Sequence, residues 1–288
     1  MAASPMPETI PETMPSPAAP TRRPITPRKS PVAMDDVPKH WFADNPVATH
    51  IANGVNMLFP IGERFFVRSV NHYLDEITDP DLRAAVKGFF GQEGRHAKAH
   101  DDYNQHLRDQ GYQIDGFLAA FDRISRILEK TAPPAVRLAA TAAAEHYTAI
   151  MAEGAFTRGV LDHAHPTMRA LLLWHAAEEI EHKAVAFDVL RQVNPSYALR
   201  LIGLGYATFT LTGFWIAGAI TLLRQDGLSW KQIRAELKAL KREDPIAKRV
   251  FWRGIREYVR KDFHPDDQDT YHLARDHFAA AQAPEASA

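Results

Sequence analysis

The chain has 288 residues, 45% of them hydrophobic, with 34 Lys and Arg against 35 Asp and Glu, and no cysteine. A disulfide scaffold, a zinc ribbon, an iron–sulfur protein and a thiol enzyme are thereby excluded, and the length suits one large domain with appendages. A net charge of −1 gives no electrostatic reason to expect nucleic acid as a partner.

Ten of the twenty prolines fall between Met1 and Pro38, among Ala, Ser, Thr and Met. Such a stretch buries too little apolar surface to offset its ordering entropy, so residues 1–37 are expected to form a disordered tail. Its basic residues Arg22, Arg23, Arg28 and Lys29 are expected to be solvated. The first 30 residues lack the basic start and apolar stretch of a secretory signal, which leads to the expectation of a cytoplasmic protein.

Beyond the tail, apolar residues recur at three- and four-residue intervals without strand-like alternation, so the domain over 38–265 reads as all-α. The pattern predicts a helix over 61–77, ended at Thr78-Asp79, with Asp79 as N-cap and Pro80 as first residue of a second helix to about Gln110. A shorter helix follows over 115–130. Pro133-Pro134 opens a long helix to about His163, and Pro166 opens another ending near Asn194. Amphipathic helices are predicted over 229–241, 245–261 and 266–281, with residues 279–288 frayed; the region 266–288 stands apart as a terminal helix and end.

Four positions on these helices carry chemistry in the order Glu63, then Glu93 with His96, then Glu145, then Glu179 with His182. Residues i and i+3 share a helical face, so each Glu-x-x-His aims a carboxylate and an imidazole at one point. Four carboxylates and two histidines on four helices are the ligand set of a ferritin-like four-helix bundle holding two metal ions. The 30 residues from Glu63 to Glu93 and the 34 from Glu145 to Glu179 each bring two helices to the same depth. The ligands lie among Phe59, Phe65, Phe66, Phe89 and Phe90 and an Ala-rich run at 139–144, where unneutralised carboxylates would be costly. Glu178 is an alternative to Glu179, His100 and His175 are possible further ligands or orienting partners, and Glu153 could close one end of the site. Arg64, Arg95 and Lys183 are expected in surface ion pairs. Oxygen and nitrogen ligands without sulfur favour two iron ions, with manganese or zinc as alternatives.

The stretches Asn-Met-Leu-Phe-Pro-Ile-Gly-Glu-Arg-Phe-Phe (56–66), Gly-Gln-Glu-Gly-Arg-His-Ala-Lys-Ala-His (91–100), Thr-Ala-Ala-Ala-Glu-His-Tyr-Thr-Ala (141–149) and Trp-His-Ala-Ala-Glu-Glu-Ile-Glu-His-Lys (174–183) resemble a bacterial family of predicted metal-dependent hydrolases. The resemblance implies a ferritin-like fold over roughly 40–265 and metal ligation by Glu63, Glu93, His96, Glu145, Glu179 and His182. The ligand pattern itself looks closer to that of di-iron oxidases and hydroxylases, and no nucleophile elbow supports ester hydrolysis independently.

Residues 201–223 are uncharged, bracketed by Arg200 and Arg224, and a helix of that length spans about 35 Å, enough to cross a bilayer. Membrane insertion, in-plane attachment to the cytoplasmic face of the inner membrane, and burial in a bundle or homodimer interface all fit this segment. The expected function is oxidation of a hydrophobic small molecule, with Tyr147 and the phenylalanines lining its approach. Two-metal hydrolysis and non-catalytic metal binding are the competing readings.

Overall fold

A computed structural model describes residues 23–243 and 248–282, with the side chains of 239–249 left aside. The expected tail up to residue 22, the frayed end from 283 and part of the helix expected over 245–261 lie outside the described residues. The regular elements among the described residues are helical, and Phe42 and Ala164 form an isolated β-bridge.

In chain order the helices are α1 (Pro46–Asn56), α2 (Phe59–Asn71), α3 (Pro80–Asp109), α4 (Asp115–Thr131), α5 (Pro134–Thr157), α6 (Pro166–His182), α7 (Val185–Val193), α8 (Tyr197–Gln225), α9 (Trp230–Glu243), α10 (Arg253–Tyr258) and α11 (Tyr271–Gln282). Asp79 caps α3 by accepting from the amides of Asp81 and Leu82, and Pro80 follows at the first helical position. α2 packs on α3 and α5, and α6 packs on α5 and α3, so these four helices close a ring around their shared interior.

Three expectations need correction. The helix predicted over 61–77 begins at Phe59 and stops at Asn71, with a short 3₁₀ turn at Leu74–Glu76, and the separate α1 precedes it. Asn45, whose side chain accepts from the amides of Val47 and Ala48 ahead of Pro46, is the capping signal that announces α1. The helix opened by Pro134 ends at Thr157, where Gly159 at φ 62 turns the chain into a loop tied back through hydrogen bonds Ala43 N–His163 O and His165 N–Trp41 O. The long helix opened by Pro166 is interrupted after His182.

The composition-based tail boundary also moves. Residues 25–28 lie across α3, because Gly88 and Gly91 leave a channel there: a Cβ on Gly88 would meet Ile25 at 2.6 Å, and one on Gly91 would meet Pro27 at 2.4 Å. The burial that holds this segment comes from glycines some sixty residues away, which local composition cannot report.

α8 packs one face on α5 and α1 and leaves the other uncovered. Gly203 sits against the backbone of Ala139, and Gly54 of α1 against Trp215 and Ala219, while Ile202, Phe209 and Ile216, seven residues apart, are exposed at 57%, 80% and 55%. Among the described residues it is the single helix long and apolar enough to cross a membrane. Its C-terminal end is anchored at Asp226. That carboxylate accepts from His40 and His50 at 2.7 Å each and from Tyr112 at 2.8 Å, with Lys39 at 3.1 Å. Burial works to raise Asp226, but these hydrogen bonds outweigh it and hold the carboxyl well below its ordinary range. With Lys39 supplying the positive charge, the node is a closed ion-pair anchor despite its two histidines and carboxylate.

Replacing Gly203 by Ala places a methyl 2.4 Å from the Ala139 backbone and should cost about 1–3 kcal/mol in urea unfolding. Gly205→Ala, with nothing within 4 Å, should instead stabilise by up to about 1 kcal/mol. Equal effects at both positions would contradict the close α5–α8 contact.

Candidate metal centre

Each of the four ring helices delivers at least one acidic residue to the interior. α2 contributes Glu63, α3 contributes Glu93 and His96, α5 contributes Glu145, and α6 contributes His175, Glu178, Glu179 and His182; all are buried. The ring therefore brings the six residues singled out as ligands into one cluster. His182 Nε2 lies 3.2 Å from Glu93, 3.3 Å from Glu145 and 3.5 Å from Glu179. His96 Nδ1 lies 3.8 Å from both Glu93 and Glu179.

Two groups of donor atoms converge within this cluster. Glu63, His96, His175 and Glu179 each offer an atom within 4.8 Å of the others, and so do Glu93, Glu145 and His182. Ligands held at about 2.0–2.2 Å on opposite sides of one ion are about 4–4.4 Å apart, so each group is close to the size one ion requires. The groups adjoin through Glu93 and Glu179, whose oxygens face histidines of both.

The hydrogen-bond inventory makes the strongest case that this cluster fits cations. Both oxygens of Glu63, Glu93 and Glu145, Oε2 of Glu179, Nδ1 of His96 and Nε2 of His182 are buried and lack a hydrogen-bond partner. Burying such groups unsatisfied costs about 1–3 kcal/mol each, and more when they are charged. Their partners are fixed on the other side. His182 Nδ1 donates to Gln92 Oε1 at 2.8 Å, which turns Nε2 toward the carboxylates. His96 Nε2 is 3.0 Å from Glu178 Oε2, which leaves Nδ1 aimed inward.

Glu178 therefore stands behind His96, and Glu179 faces the cluster. His175 belongs inside, 2.9 Å from Glu179 and 3.5 Å from Glu63, stacked on His96 with ring centroids 4.1 Å apart. His100 stands behind it, its Nε2 2.7 Å from His175 Nδ1. Glu153 is not brought in; it pairs with Arg253 at 2.8 Å. Tyr147 is likewise turned away from the approach, with its hydroxyl on Thr208 and its ring on Phe251. Of the three flanking cations, Arg64 pairs with Asp101 at the surface, Arg95 donates to the carbonyl of Pro27, and Lys183 is buried, donating to Gln268 O and Thr270 Oγ1.

Sequence reasoning missed an outer ring of support. Arg28 donates its amide to Glu178 at 2.9 Å and its guanidinium to both oxygens of Glu181 at 2.7 and 2.9 Å, with its plane 3.5 Å over Phe278 of α11. Gln92 donates to Glu181 at 2.7 Å while accepting from His182. One basic residue of the expected tail thus fixes two acidic groups of α6 and, through Gln92, the orientation of His182. Gln92 and Glu181 each adjoin a proposed ligand in sequence, the one signal that could have found them.

Without cations the cluster balances its charge with protons. Burial, with repulsion from Glu179 and Glu145, pushes Glu63 well above the carboxylate range, and burial with repulsion from Glu145 does the same to Glu93. Burial and Glu179 push Glu145 up to about 7. Burial opposes the charges of Glu179 and His182, but their mutual attraction outweighs it, holding Glu179 well below and His182 well above their usual values. Burial, then His175, holds His96 well below and neutral.

The profile of a family described as predicted metal-dependent hydrolase matches residues 26–269. No curated protein and no solved structure gives a significant match.

Because a divalent ion must displace the protons held by Glu145, Glu63, Glu93 and His182, its affinity should rise with pH. A carboxyl at about 7 makes binding roughly tenfold weaker at pH 6 than at pH 7.5 from Glu145 alone. Titration calorimetry in buffers of different ionisation enthalpy checks this through proton release. Affinity flat over that range would contradict the assignment.

Proposed function

The chain belongs to the predicted metal-dependent hydrolase family, and on that premise we propose that it is a ferritin-like two-metal enzyme, in the first instance di-iron, that oxidises a hydrophobic small molecule with O2 and an external electron donor. The observation that carries this reading is the set of partnerless carboxylate oxygens and imidazole nitrogens, one of whose members, Glu63, also lines an apolar cavity.

Glu63, His96, His175 and Glu179 would hold one ion, and Glu93, Glu145 and His182 the other. A pair of iron ions would supply electrons for O2 reduction, whereas zinc or manganese would supply Lewis acidity alone. The chain's own residues do the rest. Gln92 and Glu178 hold His182 and His96 in the tautomers that present a lone pair inward. Phe89, Trp174 and Phe59 pack on His182, His96 and His175 and fix the ring planes. Phe59, Phe65, Phe66, Phe121 and Phe214 line the cavity beside Glu63 and give it apolar walls.

The family description favours a second reading, two-metal hydrolysis of an ester or similar bond. Such hydrolysis would depend on the ions: Ser125, the serine of the cavity, has no hydrogen-bond partner to activate it. Metal binding without turnover is the remaining alternative.

The exposed stripe of Ile202, Phe209 and Ile216 on α8, with Ile124 and Ile127 exposed on the adjoining α4, supports in-plane attachment to a lipid bilayer, with α8 still seated on α5 and α1. Liposome flotation should recover the wild-type chain with the vesicles and leave a Phe209→Ser, Ile216→Ser protein in solution. A dimer that masks the stripe without vesicle binding would exclude the bilayer in favour of a homodimer.

The redox reading predicts two Fe per chain after anaerobic Fe(II) loading and a stoichiometric burst of O2 uptake on mixing with air, both lost in Glu93→Ala protein of unchanged helical content. Turnover of esters without O2, sustained by zinc or manganese, would replace it with the hydrolytic reading. Loading without either activity would leave metal binding alone.

A further inference from the structure

The cavity beside Glu63 lies between α2, α4, α5 and α8 and has a volume of about 100 Å³. Its walls are almost wholly hydrocarbon, from Leu58, Phe66, Phe121, Leu128, Met151 and Phe214 among others. Among the described residues no lysine, arginine or histidine lines it, and Glu63 is its one carboxylate. A charged ligand would find no counter-ion there and would lose its hydration, which is costly by several kcal/mol.

Four hydroxyls line this apolar space, those of Ser125, Thr148, Tyr206 and Thr210. Two are satisfied by their own helices: Thr148 donates to the carbonyl of Glu145 at 3.0 Å, and Thr210 to that of Tyr206 at 2.9 Å. The other two have no partner. Ser125 is 6% exposed and its Oγ is buried, yet it forgoes the carbonyl one turn back that Thr131 of the same helix takes at 2.8 Å. The phenol oxygen of Tyr206 is also buried and unpaired, and burial pushes its pKa up to about 12, so it stays a neutral donor and acceptor.

Two buried hydroxyls left unsatisfied in a hydrocarbon cavity weaken the fold unless a guest completes them. We infer that the cavity binds a neutral aliphatic molecule whose one polar group is held by Ser125 and Tyr206. An alcohol, aldehyde, ketone or ester has the chemistry required. The inference deepens the proposed function, and rests on it, only in assigning this molecule as the substrate that meets the metals past Glu63. Binding itself needs nothing from them. Ser125 and Tyr206 are positioning residues: they select the polar group and set the depth to which the chain enters.

The test is calorimetric titration of the full chain with 1-octanol and, as a probe of similar length with a poor hydrogen-bonding end, 1-chlorooctane. Wild-type protein should bind 1-octanol at least tenfold more tightly. Ser125→Ala and Tyr206→Phe should each weaken 1-octanol by about three- to tenfold and leave 1-chlorooctane within twofold. Because each substitution deletes a partnerless group, both ligand-free variants should melt no lower than wild type, which guards against loss of fold as an explanation. Equal affinity for the two probes, variants that weaken both alike, or no binding to a protein of intact helical content would overturn the inference. Repeating the titration on Glu93→Ala protein separates the two readings. Octanol selectivity retained there, with metal uptake absent from wild type, would sink the metal centre alone. Metal uptake with no octanol selectivity would sink the cavity assignment alone.

Discussion

Carboxylates and imidazoles enclosed without hydrogen-bond partners are the constraint on which the rest of this molecule turns. A globular interior pairs nearly all of its buried polar atoms, and each exception carries an energetic penalty. Here a group of such exceptions lies on Glu63, Glu93, Glu145, Glu179, His96 and His182, and they face one another. Protons relieve part of the repulsion, as the elevated pKa values of Glu63, Glu93 and Glu145 show. Divalent cations would relieve it more completely, because each can satisfy several oxygens and nitrogens at once.

That demand explains features remote from the cluster. The histidines must present one nitrogen each, so Gln92 and Glu178 occupy the other. Those partners must themselves be held, so Arg28 reaches in from the N-terminal segment to Glu178 and Glu181, and Phe278 of α11 stacks beneath it. Gly88 and Gly91 clear the path by which that segment crosses α3. A chain of contacts thus runs from α11 and the residues before α1 to the buried carboxylates and imidazoles of the ring. On the opposite side, α8 closes the apolar cavity against α2, α4 and α5, and Gly203 lets it approach α5 closely enough to do so.

Much of this architecture could be read from residue order. The i, i+3 spacing of Glu93 with His96 and Glu179 with His182 is a helical property, so it survives any error in helix boundaries. Asp79-Pro80 and Pro166 announce helix starts through local chemistry, and the structure begins α3 and α6 there. What could not be read depends on distant partners. The i, i+3 spacing to His182 favours Glu179, which faces the cluster, but nothing local assigns Glu178 its place behind His96 and beside Arg28. Arg28 sits in a stretch with the composition of a disordered tail, and what holds it, the channel over Gly88 and Gly91 and the carboxylates of Glu178 and Glu181, lies far away in sequence. Lys183 has the sequence surroundings of a surface cation, yet carbonyl and hydroxyl acceptors on the far C-terminal segment bury it. The unpaired hydroxyls of Ser125 and Tyr206 carry no sequence mark at all, since their meaning lies in what fails to contact them.

Two cations in the ring formed by α2, α3, α5 and α6 would be visible in anomalous diffraction at the iron absorption edge from crystals of the Fe(II)-loaded chain. Two peaks are expected, one among Glu63, His96, His175 and Glu179 and one among Glu93, Glu145 and His182. Peaks confined to the Asp226 node or to surface carboxylates, with the ring empty, would contradict the metal centre.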